Sequence, residues 1–403
     1  MSNNKKLIKS INDACVIFCI FLFLIIFIEA SLYFTFLLKD NHLKSIDRRS
    51  VADTYDNAPW TEDYFKELRE SSFDVRWMPH VYWRRNPYDG EYVNVAHDGL
   101  RLTPNSVTNS TGSSPKPEIF LFGGSTMWGT GARDSFAIPA LLLQELKKRG
   151  INANVRNFGE SGYVSAQELA MLMHQLRNGD IPNIVIFYDG VNDVFSAYQQ
   201  GTAGIPQNEI GRTREFNLTK PIRRQDLIDE PLEASSTMRF IRILVGAPDS
   251  NNQTISDQDH MELAQDVIST YANNVRMAHA LAEYYGFKTL FYWQPTVFEK
   301  KILTDYEKGE LERVNSEQRS FFDMTYNLIR DEGELFPTSI LFHNLSEVFS
   351  DTHEPIYIDW MHLGERGNSI IAQRIVDDVN RIIEALPQTG GEQTSEHRLS
   401  RTR

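Results

Sequence analysis

Residues Ala14 to Leu38 read ACVIFCIFLFLIIFIEASLYFTFLL, an apolar run that carries one charge, Glu29. As a helix rising about 1.5 Å per residue it reaches roughly 37 Å, enough to cross a hydrocarbon core of about 30 Å with some tilt. It is apolar on every face, which suits lipid better than one side of a soluble core. A cleaved signal peptide has a shorter apolar stretch and a small-x-small exit, and no such exit follows here. The run therefore reads as an uncleaved signal-anchor over residues 14–38, a single pass that withdraws itself from the fold of the remaining chain. Lys5, Lys6 and Lys9 against Asp13 give the tail of residues 1–13 a charge of +2, which favours a cytoplasmic N-terminus. Lys39, Lys44, Arg48 and Arg49 blunt that bias, but long soluble bodies translocate largely regardless of flanking charge. The body is expected outside the cytoplasm.

Both cysteines, Cys15 and Cys19, lie inside the run. Disulfides, zinc–thiolate sites and a cysteine nucleophile are thereby excluded from residues 39–403, and the absence of thiols there suits an oxidising compartment. Removing the tail's +2 and the one negative charge of Glu29 from the total of −13 leaves −14 on that body. So acidic a surface offers neither nucleic acid nor anionic lipid a basic face. With 41% hydrophobic and 24% charged residues, the chain is neither disordered nor a collagen-like repeat.

Residues 39–102 are irregular and rich in aromatics: Trp60, Tyr64, Phe73, Trp77, Tyr82, Trp83, Tyr88 and Tyr92. Such rings can line a sugar site, but packing of an extension onto the main domain is the plainer reading. Thr103 to Pro117 is rich in Ser, Thr, Pro and Gly and reads as a linker, closing an extension over 39–117. No internal repeat is visible. From residue 118 strand and helix patterns alternate. Strands are expected at Glu118–Phe122, Asn154–Phe158, Asn183–Tyr188, Lys288–Trp293 and Ile340–His343. Helices are expected at Phe136–Lys148, Ala166–Arg177, Asp257–Tyr285, Leu311–Ile329 and from just after His362 to about Leu386. Residues 201–256 break the rhythm as an insertion, and residues 387–403 read as a disordered tail. The alternation predicts an α/β domain over 118–386, a central parallel five-stranded sheet in a three-layer α/β/α arrangement. Ligands of such sheets sit at the carboxyl ends of the strands, so those loops are the ones to inspect.

The loop after the first strand is Gly123-Gly124-Ser125-Thr126-Met127-Trp128-Gly129-Thr130-Gly131. It lacks the lysine of a phosphate-binding P-loop, the dinucleotide G-x-G-x-x-G and the G-x-S-x-G elbow. What remains is a small-residue turn presenting Ser125, which alone reads as a helix cap. Three further loops stand at strand ends: Asn157-Phe158-Gly159-Glu160-Ser161-Gly162-Tyr163, Asp189-Gly190-Val191-Asn192-Asp193, and Asp359-Trp360-Met361-His362.

Taken in order, these four blocks resemble the SGNH (GDSL-like) hydrolase superfamily. Gly123-Gly124-Ser125 is similar to the first block, with Gly124 where the name-giving motif has Asp. Asn157 to Gly162 resembles the second, Gly190-x-Asn192-Asp193 the third and Asp359-x-x-His362 the fourth. The resemblance spans about residues 117–386 and implies a flavodoxin-like α/β fold. It also implies Ser125, Asp359 and His362 as catalytic residues, and Ser125, Gly162 and Asn192 as oxyanion-hole donors.

The chemistry of those residue types agrees. A serine hydroxyl needs a base, an imidazole titrates near neutrality, and a carboxylate fixes its tautomer. Attack on an ester builds an oxyanion that two backbone N–H groups and an amide can receive. No cofactor and no metal is called for. Asp189 and Asp193 flank Asn192, but with no nearby histidine or third carboxylate they read as loop caps. His353 reads as a surface residue, His174 as part of an amphipathic helix, and Ser161 as a serine with no acid–base companions in its loop. The sequons at Asn109, Asn217, Asn252 and Asn344 matter only in a glycosylating pathway.

The expected function is a membrane-anchored serine esterase acting on an ester-bearing small molecule or glycan. Two alternatives stay open. The same residues can pass an acyl group to a sugar hydroxyl, making an O-acyltransferase of a cell-surface or exported polysaccharide, or the fold can serve as a carbohydrate-binding scaffold.

Overall fold

The structure, a computed structural model, describes residues 16–35, 47–104, 106, 116–218, 257–330 and 335–385. The tail of 1–13, most of the linker, the insertion beyond residue 218 and the C-terminal tail lie outside them. The chain divides into two compact units, residues 1–47 with 208–257 and residues 48–207 with 258–403. In the first, Val16–Thr35 forms α1, an apolar helix near the N-terminus, long enough to cross a membrane and consistent with a signal anchor or a signal peptide. The same unit holds Glu209–Leu218.

The second unit is built on five parallel strands. In chain order they are Glu118–Gly123, Asn154–Asn157, Ile184–Asp189, Lys288–Trp293 and Leu341–Asn344. Four short strands of the extension precede them, β1 (Val75–Met78), β2 (Tyr82–Arg85), β3 (Tyr88–Asp89) and β4 (Asn94–Val95), so these strands are β5 to β9. Their spatial order is β6-β5-β7-β8-β9, every pairing parallel. The order reverses between β5 and β7, and the loops after both strands open at that switch point, where such sheets bind ligands.

Alternation along the strands sorts the core into two layers. Phe120, Phe122, Phe187 and Phe291 face the helices Ser165–Arg177, Val191–Gln200, Asp257–Tyr285 and Ser316–Arg330. Ile119, Leu121, Ile184, Ile186 and Leu290 face Ile138–Lys148 and Glu365–Ala385. The register pairs Phe122 with Phe187 and Phe187 with Phe291, and the rings stack at 5.2 and 5.1 Å. A sheet buried on both faces by helices is the expected three-layer α/β/α architecture.

Two expectations differ. The helix foreseen at Leu311–Ile329 is two, Asp305–Glu312 and Ser316–Arg330. Thr304 and Glu307 form a capping box that starts the first, and Asn315 Oδ1 accepts the Gln318 N–H to start the second. Nor are residues 48–102 irregular: they hold α2 (Thr61–Phe73) and the two hairpins. Tyr55, Tyr64 and Phe65 pack with Trp128 and Ile358 of the sheet domain. Arg101 bridges both Val95 and Asn157, so the extension continues the sheet beside the β6 edge. Trp77 and Phe73, by contrast, are exposed.

Candidate active site

Ser125 opens a single helical turn, Ser125–Trp128, directly after β5. The preceding Gly124 is extended, and a Cβ on it would run into the Asn192 amide nitrogen. Any side chain at position 124 would therefore have to displace the Asn192 amide. Asn192 sits in the first turn of Val191–Gln200, after β7, and its Nδ2 donates to the Tyr163 carbonyl at 2.8 Å. An amide carries two N–H donors, so one remains for a ligand. Gly162, beside Tyr163, has φ +77°, a left-handed conformation that favours glycine. The Asn192 amide, Gly124 and the Gly162–Tyr163 turn thus meet beside Ser125.

His362 reaches Ser125 from the last loop. Its Nε2 lies 2.7 Å from Ser125 Oγ, and both residues are buried. Its Nδ1 lies 2.7 Å from Asp359 Oδ2. A carboxylate only accepts, so Nδ1 carries the proton and Nε2 is left to accept from the serine. The D-x-x-H spacing has a local cause. Asp359 Oδ1 accepts the Met361 and His362 N–H groups at 3.0 and 2.8 Å, an Asx-type turn that folds the carboxylate over the imidazole three residues on. Burial pushes Asp359 up, but the His362 charge and hydrogen bond, Arg49 and the Met361 N–H outweigh it and hold the carboxyl well below the usual range.

Side chains outside the expected catalytic set fasten these loops. Gln294, at the end of β8, donates to Thr126 Oγ1 at 2.8 Å and to the Met361 carbonyl at 3.3 Å, tying the serine turn to the histidine loop. Asn157 Nδ2 donates to the Met127 and Trp128 carbonyls. Arg85 donates to Glu160 and to Ser161 Oγ, so Ser161 is engaged away from any base. Trp83 Nε1 donates to the Ser161 carbonyl. Its ring edge comes within 3.4 Å of where a Gly162 Cβ would stand, and Gln207 Oε1 within 3.2 Å. Arg49 Nη1 stands 3.7 Å from Asp359 Oδ2.

The aspartates beside Asn192 need correcting. Asp193 accepts from Ser165 N and Oγ and so caps a neighbouring helix, while Asp189 accepts the Tyr271 hydroxyl at 2.7 Å. A third carboxylate, Glu168, is buried beside them. Burial first, then mutual repulsion, pushes Glu168 well above its ordinary value and Asp189 up to about 8, and burial takes Asp193 to about 6. Among the described residues no cluster has the arrangement of a metal site. His353 is exposed, and His174 is half-buried with its Nδ1 facing Arg177.

No protein-family model matches the chain, and no curated protein sequence does. Solved structures do. An acetyl xylan esterase, AlAXEase, is 14% identical over 65% of this chain and 99% of its own, with a TM-score of 0.36. A putative lipolytic protein of the G-D-S-L family from Desulfitobacterium hafniense DCB-2 is 10% identical over 65% and 99%, at 0.33. A catalytic mutant of an acetylxylan esterase from Geobacillus stearothermophilus is 13% identical over 65% and 94%, at 0.37. At these low identities the likeness is one of fold alone.

Proposed function

We propose that this chain is a serine esterase that removes a short acyl group, such as O-acetyl on a carbohydrate, through an acyl-enzyme on Ser125. The observation that carries the reading is the continuous hydrogen-bonded line from Ser125 Oγ through His362 to Asp359. The hydroxyl proton passes to His362 Nε2 as Oγ bonds to the ester carbon. The carbonyl oxygen becomes an oxyanion, received by the Ser125 and Gly162 N–H groups and the Asn192 amide. Collapse expels the alcohol, which takes the proton back from the imidazolium. A water then repeats the sequence and frees the acid. Asp359 stays ionised throughout, which suits its role of steadying the imidazolium.

Trp83 and Gln207 crowd Gly162, which favours a small acyl group, and the half-buried indole offers a flat apolar face to a sugar ring. The apolar N-terminal helix, as a signal-anchor, would hold this domain outside the cytoplasm. The test uses the full chain in detergent with 4-nitrophenyl acetate. Ser125→Ala should lower kcat by about a thousandfold or more with the fold unchanged. Turnover retained in that variant sinks the assignment.

A further inference from the structure

Arg48 and Arg49 stand side by side on the short turn Arg48–Val51 that begins the extension, and they face different partners. Arg48 makes a two-pronged contact with Glu310 at 3.0 and 2.9 Å, which fastens the turn to the helix Asp305–Glu312. Arg49 instead reaches Asp359 Oδ2, the oxygen that also accepts the hydrogen bond from His362 Nδ1. Its guanidinium lies 5.2 Å from the centre of the buried Phe65 ring, which limits where it can swing.

We propose that Arg49 is a positioning residue of the proposed esterase: it anchors the outer oxygen of Asp359 and keeps a positive charge beside the Asp359–His362 pair, so the pair remains able to accept the serine proton as the solution becomes more acidic. The inference rests on the reading of Ser125, Asp359 and His362 given above.

The charges and phenols that act on Asp359 or respond to it are His362, Arg49, Arg48, Tyr55 and Tyr306. Arg48 is matched by Glu310. Burial pushes both phenols up, so they stay neutral at any pH where an imidazole base operates. Asp359 Oδ1 is already engaged by two N–H groups. Oδ2 is shared between the imidazole and Arg49, and fixing it there aims the carboxylate at Nδ1. A cation at this distance favours the ionised carboxylate and opposes an added proton on the neighbouring ring.

The test measures the rate at which a fluorophosphonate probe labels the full chain in detergent, from pH 5 to 9. In labelling, Ser125 Oγ bonds to phosphorus, fluoride leaves, and the hydroxyl proton goes to His362 Nε2. Removing the cation lets the pair take up its proton more readily. Arg49→Gln should therefore move the acidic limb of the rate profile to higher pH by about half to one unit, discounted because Arg49 is partly exposed. Labelling on that limb then slows about three- to tenfold, with the alkaline plateau nearly kept. Arg49→Lys should return the limb to its wild-type place. Arg48→Gln, which loosens the turn but keeps the Arg49 charge, should leave it there. Arg49→Met makes the same comparison if the glutamine variant does not fold.

An unmoved limb in the neutral variants, a limb that lysine fails to restore, or an equal shift in Arg48→Gln overturns the proposal. A wild-type chain that is never labelled at Ser125 brings down the esterase reading instead.

Discussion

Phe122, Phe187 and Phe291 back the candidate site from the sheet with three stacked rings, whereas Arg84, Arg85 and Arg101 back it from the extension with buried guanidinium groups. The rings need only be large, flat and in register, since apolar burial has no direction. The arginines act through directed contacts, although Arg84 Nε and Nη2 have no hydrogen-bond partner among the described residues. Arg84 Nη1 donates to the Phe158 and Gly159 carbonyls. Arg85 pairs with Glu160, and its guanidinium carbon lies 3.5 Å from the centre of the Trp128 ring. Arg101 stands over the same ring at 4.4 Å, binds Asp134 at 2.8 Å, and donates to the Gly129 and Ala132 carbonyls at 2.6 Å each. The sheet thus supports the site by filling space, and the extension by satisfying the polar groups of the loops. A buried guanidinium without its partners is strongly unfavourable, so the second kind of support is tight but unforgiving.

The largest expected effect follows from that contrast. Arg101→Met keeps much of the apolar stem but takes the cation from Asp134, which keeps the Asn94 donors, and one donor each from the Gly129 and Ala132 carbonyls. It should destabilise the chain by about 3–5 kcal/mol in denaturant unfolding. Fluorophosphonate labelling should fall as well, because the carbonyls that lose this donor belong to the turn after Ser125. A loss below about 1 kcal/mol would mean that the extension merely rests on the domain.

The same contrast explains what could be read from the sequence. The five strands were legible because apolar runs such as Ile184–Tyr188 recur between helical stretches. The loops carrying Ser125, Asn192 and His362 were legible because a parallel sheet dictates which strand ends they join. The contribution of the extension was not. Its arginines follow no period, and a buried arginine looks like a solvated one until its partners are placed. Arg49 and Asp359 lie at opposite ends of the unit's sequence, and no spacing rule links them. Gln294 was hidden for a different reason: it follows an unremarkable strand end and acts only through Thr126 and Met361. Glu168 was hidden by its helix, where one acidic residue among Ser165–Arg177 reads as solvent-facing.

Glu168, Asp189 and Asp193 test the comparison from the sheet side, where polar groups are buried without a cation to match. Burial raises these carboxyls above an unfolded value of about 4. A raised acid binds its proton more tightly when folded. Its stabilising contribution is therefore full below pH 4 and is lost as the pH climbs through the folded value, here up to about 8 for Asp189. Glu168→Gln should flatten that decline, with a difference on the order of 2 kcal/mol between pH 5 and 8 in thermal or denaturant unfolding. Identical slopes for the variant and the wild type would show that the three carboxyls are compensated in a way their burial does not suggest.

The smallest effect is expected from Trp77, which belongs to the extension yet shares none of its buried chemistry. It is opposite Trp83 in the β1–β2 register and stacks on Tyr82 at 5.2 Å, but its ring is 65% exposed. Trp83, across the hairpin, is the one that donates to Ser161 and borders Gly162. If the extension supports the site through matched polar groups rather than through its aromatic content, Trp77→Ala should cost less than about 1 kcal/mol, the scale of an exposed aromatic pair. The labelling rate at Ser125 should not change. A loss above about 2 kcal/mol would break the contrast, because an exposed ring can contribute that much only if something else in the full chain covers it.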